Sequence, residues 1–478
     1  LIRIAIGAAK EKIMVEGNST APLKIGWTPK APFWHSFNGN HPLIRSLVPV
    51  DSVINARFST RDTPNPFERQ LAVAEIGAAF ISLWDRLQNS CPGRVSEIEL
   101  VAYLQTLPLD SLACMPRDVD CVFMHTVAVT LDAAPWVLHI ENFSSLMWQI
   151  LVSIRERDHK LTRHPLFWII RAVLESPNCH SIATHMRLTR QQLIDVFDSN
   201  LITQKIRLIK PGVRLSEDQM AAADRAYFEK QTRGGPLRVL FSNSWHGDSG
   251  NFYCRGGFQV VMGFLAAYAH NPNMHLIIKS RLPEIDAQIH GFSEGDIRAH
   301  PGITIIEQFL SDSDMFDLVC SVDAVAIVSS NLHSMSLMQA MHAAAIPILS
   351  DNPLYREFVE PDVTAIEIAG IAERTSFVDA ESGWIYDEDR CLQAHIPALS
   401  AQFSARLLQL TQDLGFRRQM MTQTRKAARE RFLIQDDMGP MGPILAEAAG
   451  DPAYAEIRAS NARLAHLLTA HEIVESLF

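Results

Sequence analysis

The 478-residue sequence has only seven cysteines (Cys91, Cys114, Cys121, Cys179, Cys254, Cys320 and Cys391), and no two of them form a CxxC pair. An odd, scattered set excludes a disulfide framework and a zinc site of ordinary ligand spacing. It reads as free thiols in a reducing compartment. Long apolar runs are missing as well: no stretch reaches the roughly 18 uninterrupted apolar residues of a membrane helix. The opening LIRIAIGAAKEKIMVEG breaks into charge too early for a secretory signal, so a cytoplasmic location is expected and the sequon at Asn142-Phe143-Ser144 is read as chance. The sequence opens on Leu1, read as a trimmed or renumbered start. Basic residues are in deficit, 43 Lys+Arg against 53 Asp+Glu with a net charge of −10, which excludes a generally basic nucleic-acid surface. There is no solenoid-length repeat and no low-complexity tract. No G-x-G-x-x-G follows an early strand, which argues against a dinucleotide oxidoreductase.

What is present is globular: 47% of residues are apolar and 20% charged. The length fits two or three domains of roughly 100–200 residues. Short apolar runs alternate with longer helical patterns, the signature of parallel sheets built from βαβ units. In the first half the strand-like runs are 23–27, 53–58, 121–127, 135–140 and 181–184, with helical patterns at 67–87 and 145–157. A second series follows at 237–241, 274–278, 303–306, 324–328 and 346–349. The expected fold class is α/β, with two doubly wound, Rossmann-like domains facing across a cleft. Turn signals at Lys210-Pro211-Gly212-Val213 and Thr232-Arg233-Gly234-Gly235-Pro236 bracket a connector helix. The division expected is an acceptor-side domain over 1–212, a nucleotide-sugar domain over 213–435 and a helical segment over 436–478. In that last segment Ile457, Leu464, Leu467, Leu468, Val474 and Leu477 recur at helical spacing and return it to the first domain.

Two loops at strand ends carry candidate chemistry. Arg255-Gly256-Gly257-Phe258-Gln259 opens an apolar helix after the strand LRVLF. A glycine there lets phosphate oxygens approach free N–H groups while Arg255 supplies charge, although the same residues also read as a plain glycine turn before a helix. After the strand AVAIV, the polar run 329–336 leads into a helix, so the N–H groups of His333, Ser334 and Met335 can face an anion. Asn331 and Gln339 follow there, amides that donate and accept but cannot serve as a carboxylate base. An N-cap serine cluster on a buried Met/Ala helix accounts for that composition equally well.

The ordered run LRVLFSN, RGGFQVVMGF, ITIIEQFLSDSDMFDLVCSVDAVAIVSS, SLMQAMHAAAIPILSDNPLYREFV and LLQLTQDLGFRRQMMTQTRKAARERF resembles the nucleotide-sugar domain of the group-1 glycosyltransferases, retaining enzymes of the GT-B fold. The resemblance covers residues 237–432 and, more faintly, 135–213, where PWVLHIEN is similar to the strand ending in an active-site histidine and KIRLIKPGV to the interdomain turn. Where that family has a Glu-x7-Glu pair this chain has Asn331 and Gln339, where it has lysine before glycine stands Arg255, its arginine is replaced near Asn243, and the glycine before the Pro-Val-Ile strand is Ala345. The resemblance implies that Asn331 contacts sugar hydroxyls, Gln339 the ribose, and Arg255, Gly256, His333, Ser334, Met335 and Asn243 the diphosphate side. It further implies that His139 stands at the donor–acceptor junction and that Gly39, in the loop 32–40, approaches the diphosphate.

The function this implies is transfer of a sugar from a nucleotide-diphosphate donor to an acceptor hydroxyl of a glycan or small molecule, with retention. No metal or resident cofactor is expected, and His139, Asn331 and Arg255 are the catalytic candidates. The alternatives are a non-catalytic sugar-nucleotide or glycan-binding protein of the same fold and an inverting enzyme. Asp118-Val119-Asp120 has the spacing of a metal-binding DxD but abuts the strand CVFMHTV and reads better as a turn. A basic-aromatic stretch, 147–174, offers peripheral contact to an anionic membrane surface, with a solvated helix face as the favoured reading.

Overall fold

The computed structural model describes residues 23–27, 42–49, 54–57, 66–107, 119–126, 134–147, 150, 161–243, 252, 255–287, 291–329, 332–371, 388–456 and 458–459. Among them twelve strands form two six-stranded sheets in which all pairings are parallel. The first contains β1 (Leu23–Trp27), β2 (Ile54–Arg57), β3 (Cys121–His125), β4 (Trp136–His139), β5 (Cys179–Thr184) and β6 (Ile206–Leu208), in the order β2-β1-β3-β4-β5-β6. The second contains β7 (Leu237–Ser242), β8 (Met274–Lys279), β9 (Ile303–Ile305), β10 (Ala324–Ile327), β11 (Ile346–Ser350) and β12 (Ile366–Ile368), in the order β12-β11-β10-β7-β8-β9. The winding reverses beside the first strand of each sheet, between β1 and β3 and between β7 and β10. The chain is therefore an α/β protein with two doubly wound, Rossmann-like units, and each sheet has a topological switch point.

The central strands are legible as apolar runs because both of their faces are covered: every residue of β4, β10 and β11 is buried. Strands β6 and β12 escape the sequence reading because IRL and IEI each place a charged residue between two apolar ones, with no continuous apolar run to mark them. Leu208 is also exposed on its edge. Of the helical pattern expected over 145–157, the described residues show one helix closing at Leu146, with Met147 as its C-cap, and a helical Ile150, while 148–149 and 151–157 lie outside the described residues.

The helices of the first half are α1 (Pro42–Leu47), α2 (Pro66–Ser90), α3 (Glu97–Gln105), α4 (Phe143–Leu146), α5 (Pro165–Leu174), α6 (Arg187–Phe197) and α7 (Asn200–Lys205). The connector is α8 (Glu217–Thr232), which packs against helices of the second half. Those helices are α9 (Gly257–His270), α10 (Glu294–Ala299), α11 (Asp312–Ser321), α12 (Ser334–His342), α13 (Glu388–Gln412) and α14 (Leu414–Arg431). Local chemistry sets several starts: Ser96 with Glu99, and Ser216 with Gln219, close reciprocal capping boxes on α3 and α8. Finally α15 (Gly442–Gly450) leaves the second half and packs against β1, β3, β4 and β5. The apolar positions named in the terminal segment, Ile457 through Leu477, lie outside the described residues.

Alternate residues of each sheet feed opposite faces. Val122, Met124, Leu138 and Ile182 pack outward against α2, α3, α5 and α6, and Val239, Phe241, Leu276 and Ile348 pack outward against α9 and α13. The inner faces meet in one continuous cluster, from Ile25, Phe123 and Val137 to Leu240, Val325 and Ile327, with α12 and α15 between them. At the crossing, Val213 bridges Leu433. Gly212 leaves no room for a side chain, since a Cβ would stand 2.8 Å from the Phe432 carbonyl oxygen.

Candidate functional site

Ligands of doubly wound sheets sit outside the carboxyl ends of the strands at the switch point. In the second sheet that point lies between β7 and β10, where α9 and α12 begin. Both helices start without a side-chain cap, at Gly256 and His333, so their first N–H groups are left to other partners. Gly256 is required by packing: its φ is +77°, and a Cβ would lie 1.9 Å from the Val328 carbonyl oxygen at the end of β10. The glycine read from sequence as an opening for phosphate thus also lets the start of α9 press directly onto the neighbouring strand.

Arg255 Nη1 donates to His333 Nδ1, joining the two helix starts. Burial and the Arg255 charge hold the His333 imidazole well below its ordinary pKa. The ring is therefore neutral, accepts at Nδ1 and donates from Nε2 to the Ser329 hydroxyl at 3.2 Å. Asn243, directly after β7, is buried; its backbone N–H donates to the Lys279 carbonyl at 3.0 Å and its amide reaches the Ser280 hydroxyl at 3.4 Å. Ser334 and Met335 are buried in the first turn of α12, and Gln339 lies half-buried one turn on.

The first sheet presents a row of three imidazoles to the same region. Parallel register sets His125, the last residue of β3, beside His139, the last residue of β4. His185 follows β5. The rings stack, with His125 Nδ1 to His139 Nδ1 at 2.9 Å and His139 Nε2 to His185 Nδ1 at 3.1 Å. His185 Nε2 is buried without a hydrogen-bond partner, and burial draws the His185 pKa down to about 4. An orphaned lone pair costs less than an orphaned N–H. The chain of bonds therefore runs from His185 Nδ1–H to His139 Nε2 and from His139 Nδ1–H to His125 Nδ1, leaving the His125 proton on Nε2. His139 is fully buried and both its nitrogens are taken, while His125 is half-buried at the outer end of the row. Sequence reasoning found His139 but missed its two neighbours, which only strand register brings into line.

Glu141 stands two residues after His139. It reaches across to the other half, where the Ser334 hydroxyl at the start of α12 donates to its carboxylate. Burial raises the Glu141 pKa, against the pull of the Ser334 hydrogen bonds and the Arg255 charge. Asn142 instead caps α4, its side-chain oxygen accepting from the Ser145 N–H at 2.8 Å. The site thus joins Arg255, Gly256, His333 and Ser334 of one half to Glu141 and the histidine row of the other.

Two site candidates, Gly39 and Asn331, lie outside the described residues. Asp120 of the DxD serves the fold: its carboxylate accepts from the Lys24 N–H at 2.8 Å and its own N–H donates to the Lys24 carbonyl at 2.7 Å, fastening β1. In the described part of the basic-aromatic stretch, Trp168 lies between the guanidinium groups of Arg94 and Arg171, and Arg171 pairs with Glu175 at 3.0 Å. Those cations are engaged within the fold. Among the described residues no group of three His, Cys, Asp or Glu side chains is placed to hold a metal, and no helix is long and apolar enough to cross a membrane.

Solved structures similar to this chain include an α,α-trehalose-phosphate synthase (UDP-forming) from Burkholderia vietnamiensis, at 11% identity and a TM-score of 0.49, over 91% of this chain and 98% of that one. Anabaena Alr3699/HepE, solved with UDP and glucose, is similar at 11% identity and a TM-score of 0.44, over 83% of this chain and 86% of that one. The C-terminal domain of a group 1 family glycosyl transferase, LpcC from Francisella tularensis, is similar at 12% identity and a TM-score of 0.31, over 48% of this chain and 97% of that domain. No family model matches the chain, and no curated protein does.

Proposed function

We propose that this protein is a GT-B-type glycosyltransferase that binds a nucleotide-diphosphate sugar at the switch point of its second sheet and transfers the sugar to an acceptor hydroxyl. The observation that carries this reading is the convergence of two uncapped helix starts, joined by Arg255 and His333, on the carboxyl ends of β7 and β10. Such a place favours a diphosphate, because oriented N–H groups and a guanidinium are fixed before the ligand arrives. The sequence resemblance to group-1 enzymes supports the same assignment. In this reading residues 1–212 hold the acceptor, 213–435 the donor, and 436–478 return to the first unit. The protein works in the cytoplasm.

The acceptor oxygen bonds to the anomeric carbon on the face from which the diphosphate departs, and the acceptor proton passes to the leaving phosphate oxygen, so configuration is retained. Arg255 and the N–H groups at Gly257 and Met335 stabilise the departing charge without a metal. Asn331 holds sugar hydroxyls and Gln339 the ribose. His125, the outer imidazole, meets the acceptor side, with His139 behind it as its orienting partner.

A second reading is favoured by one feature: Gln339 places an amide where a carboxylate is expected, so the scaffold binds without turning over. Thermal shift and nucleotide release, measured with UDP-, GDP- and ADP-sugars and their nucleoside diphosphates, separate the two. Stabilisation with release of the diphosphate supports transfer, and stabilisation without release under any acceptor supports the binding protein. No stabilisation by any nucleoside diphosphate overturns the donor site.

A further inference from the structure

Two carboxylates cross between the halves in opposite directions, each seated on a helix start that has no side-chain cap of its own. Glu357 of the second half accepts from the Arg187 and Leu188 N–H groups of α6 at 2.7 and 2.8 Å. Glu141 of the first half accepts from the Ser334 hydroxyl and from the Ser334 N–H at the start of α12. The two contacts differ in what surrounds them. Helix α6 follows β5 of the first sheet, whereas α12 opens at the switch point of the second, beside Arg255 and His333.

The backbone around Glu141 is fixed on both sides. The Ile140 N–H donates to the Ala183 carbonyl at 2.8 Å, the Thr189 hydroxyl of α6 donates to the Glu141 carbonyl at 3.3 Å, and Asn142 caps α4. The carboxylate can therefore leave Ser334 by rotation about its side-chain bonds, with no shift of β4. Burial works against its charge, and what holds the ionised form in place is the pair of Ser334 donors and the nearby Arg255 guanidinium. Donors at a helix start beside a guanidinium are also what draws a phosphate. Phosphate and carboxylate oxygens crowded onto the same donors repel each other. The contact between the halves and an anion at the start of α12 thus exclude one another.

We infer that Glu141 is a built-in occupant of the anion place at α12, an autoinhibitory contact that a nucleoside diphosphate displaces when it binds. The inference rests on the donor reading above and concerns the regulation of that same site. Without ligand the carboxylate holds the first half against α12. With ligand the phosphate oxygens take the Ser334 donors, and this bond between the halves is broken. Apparent affinity is lowered by the fraction of molecules in which Glu141 is seated.

The test measures binding by calorimetry for the wild-type chain, Glu141→Gln and Glu141→Asp, using inorganic pyrophosphate, UDP, GDP and ADP, with uridine as the uncharged control. Glu141→Gln removes the charge in place, whereas Glu141→Asp keeps it but draws it back from Ser334 by one methylene. Melting without ligand shows which variants are folded; if one is not, the other decides alone. Both are expected to bind at least one diphosphate about tenfold more tightly than wild type, the gain for a place about nine-tenths occupied, with uridine unchanged. A variant that binds where the wild type does not is the same result in stronger form. Affinity equal to wild type shows no competition and overturns the inference. Weaker affinity shows that Glu141 belongs to the ligand's own contacts, and overturns it too. So does a gain in folded Glu141→Gln with none in folded Glu141→Asp, which shows repulsion at a distance rather than displacement. In each of these three cases the donor reading stands. No binding of any diphosphate by wild type or variants overturns the donor reading itself, and the Glu141 inference with it.

Discussion

Gly256 is the residue at which fold and site are hardest to separate. Its positive φ and its contact with the Val328 carbonyl leave no space for a methyl group, so the same atom count that allows α9 to start here also keeps its N–H groups open. Gly256→Ala is expected to destabilise the protein by about 2–4 kcal/mol, a strained backbone added to an overpacked contact. Chemical denaturation checks this; a loss below about 0.5 kcal/mol, the range of an ordinary surface substitution, would show that α9 can start elsewhere. Arg255 and His333 form the neighbouring unit. Because His333 is neutral, it accepts from the guanidinium and holds Arg255 in place without neutralising its charge.

Among the elements, α6 shows how the two halves are fastened. Its N-cap, Met186, has no side-chain acceptor. The Glu357 carboxylate, from the 3-10 turn Pro353–Glu357 of the other half, accepts from the Arg187 and Leu188 N–H groups at 2.7 and 2.8 Å. A carboxylate at a helix N-terminus is favoured by both hydrogen bonding and the dipole. Glu357→Ala is therefore expected to cost about 1–2 kcal/mol and to expose the α6 amides, read as faster hydrogen exchange in the first turn. Unchanged exchange there would mean that the contact contributes nothing in solution. Arg431 supports the arrangement by donating to the Glu357 carbonyl at 2.8 Å and the Phe358 carbonyl at 3.1 Å. Phe358 in turn meets His185 edge-on.

At the scale of the whole molecule, the continuous inner cluster makes the buried histidines a common acid weakness. His185 and His342 are nearly inaccessible, and burial draws both down to about 4. Below the ordinary histidine pKa of about 6.5 the unfolded chain takes up protons that the folded chain refuses. Stability should therefore fall as pH drops from about 6.5 to about 4, by up to about 3 kcal/mol for each histidine. Glu141, with its raised pKa, works in the opposite sense and loses its contribution as pH rises. The melting temperature is expected to be lower at pH 5 than at pH 7, and His185→Asn should shrink that difference. A melting temperature independent of pH over this interval would contradict the burial of neutral imidazoles.

The sequence by itself determined the fold class, because parallel strands covered on both faces must be apolar almost throughout. Runs such as WVLH and IPILS declare themselves without a partner. It also located the two helix starts, since glycine and small polar residues after a strand mark the place where N–H groups are left open. The edge strands β6 and β12 were illegible because a charged residue interrupts each short apolar pair, as in IRL and IEI. Tertiary structure alone decided which residues meet. The sequence separates His125 from His139 by 14 positions and His139 from His185 by 46, and strand register stacks them. Glu141 and Ser334 are 193 positions apart and touch because the halves close on one core. Periodicity is a property of neighbours along the chain, whereas the site is assembled by packing between segments whose separation no local pattern records.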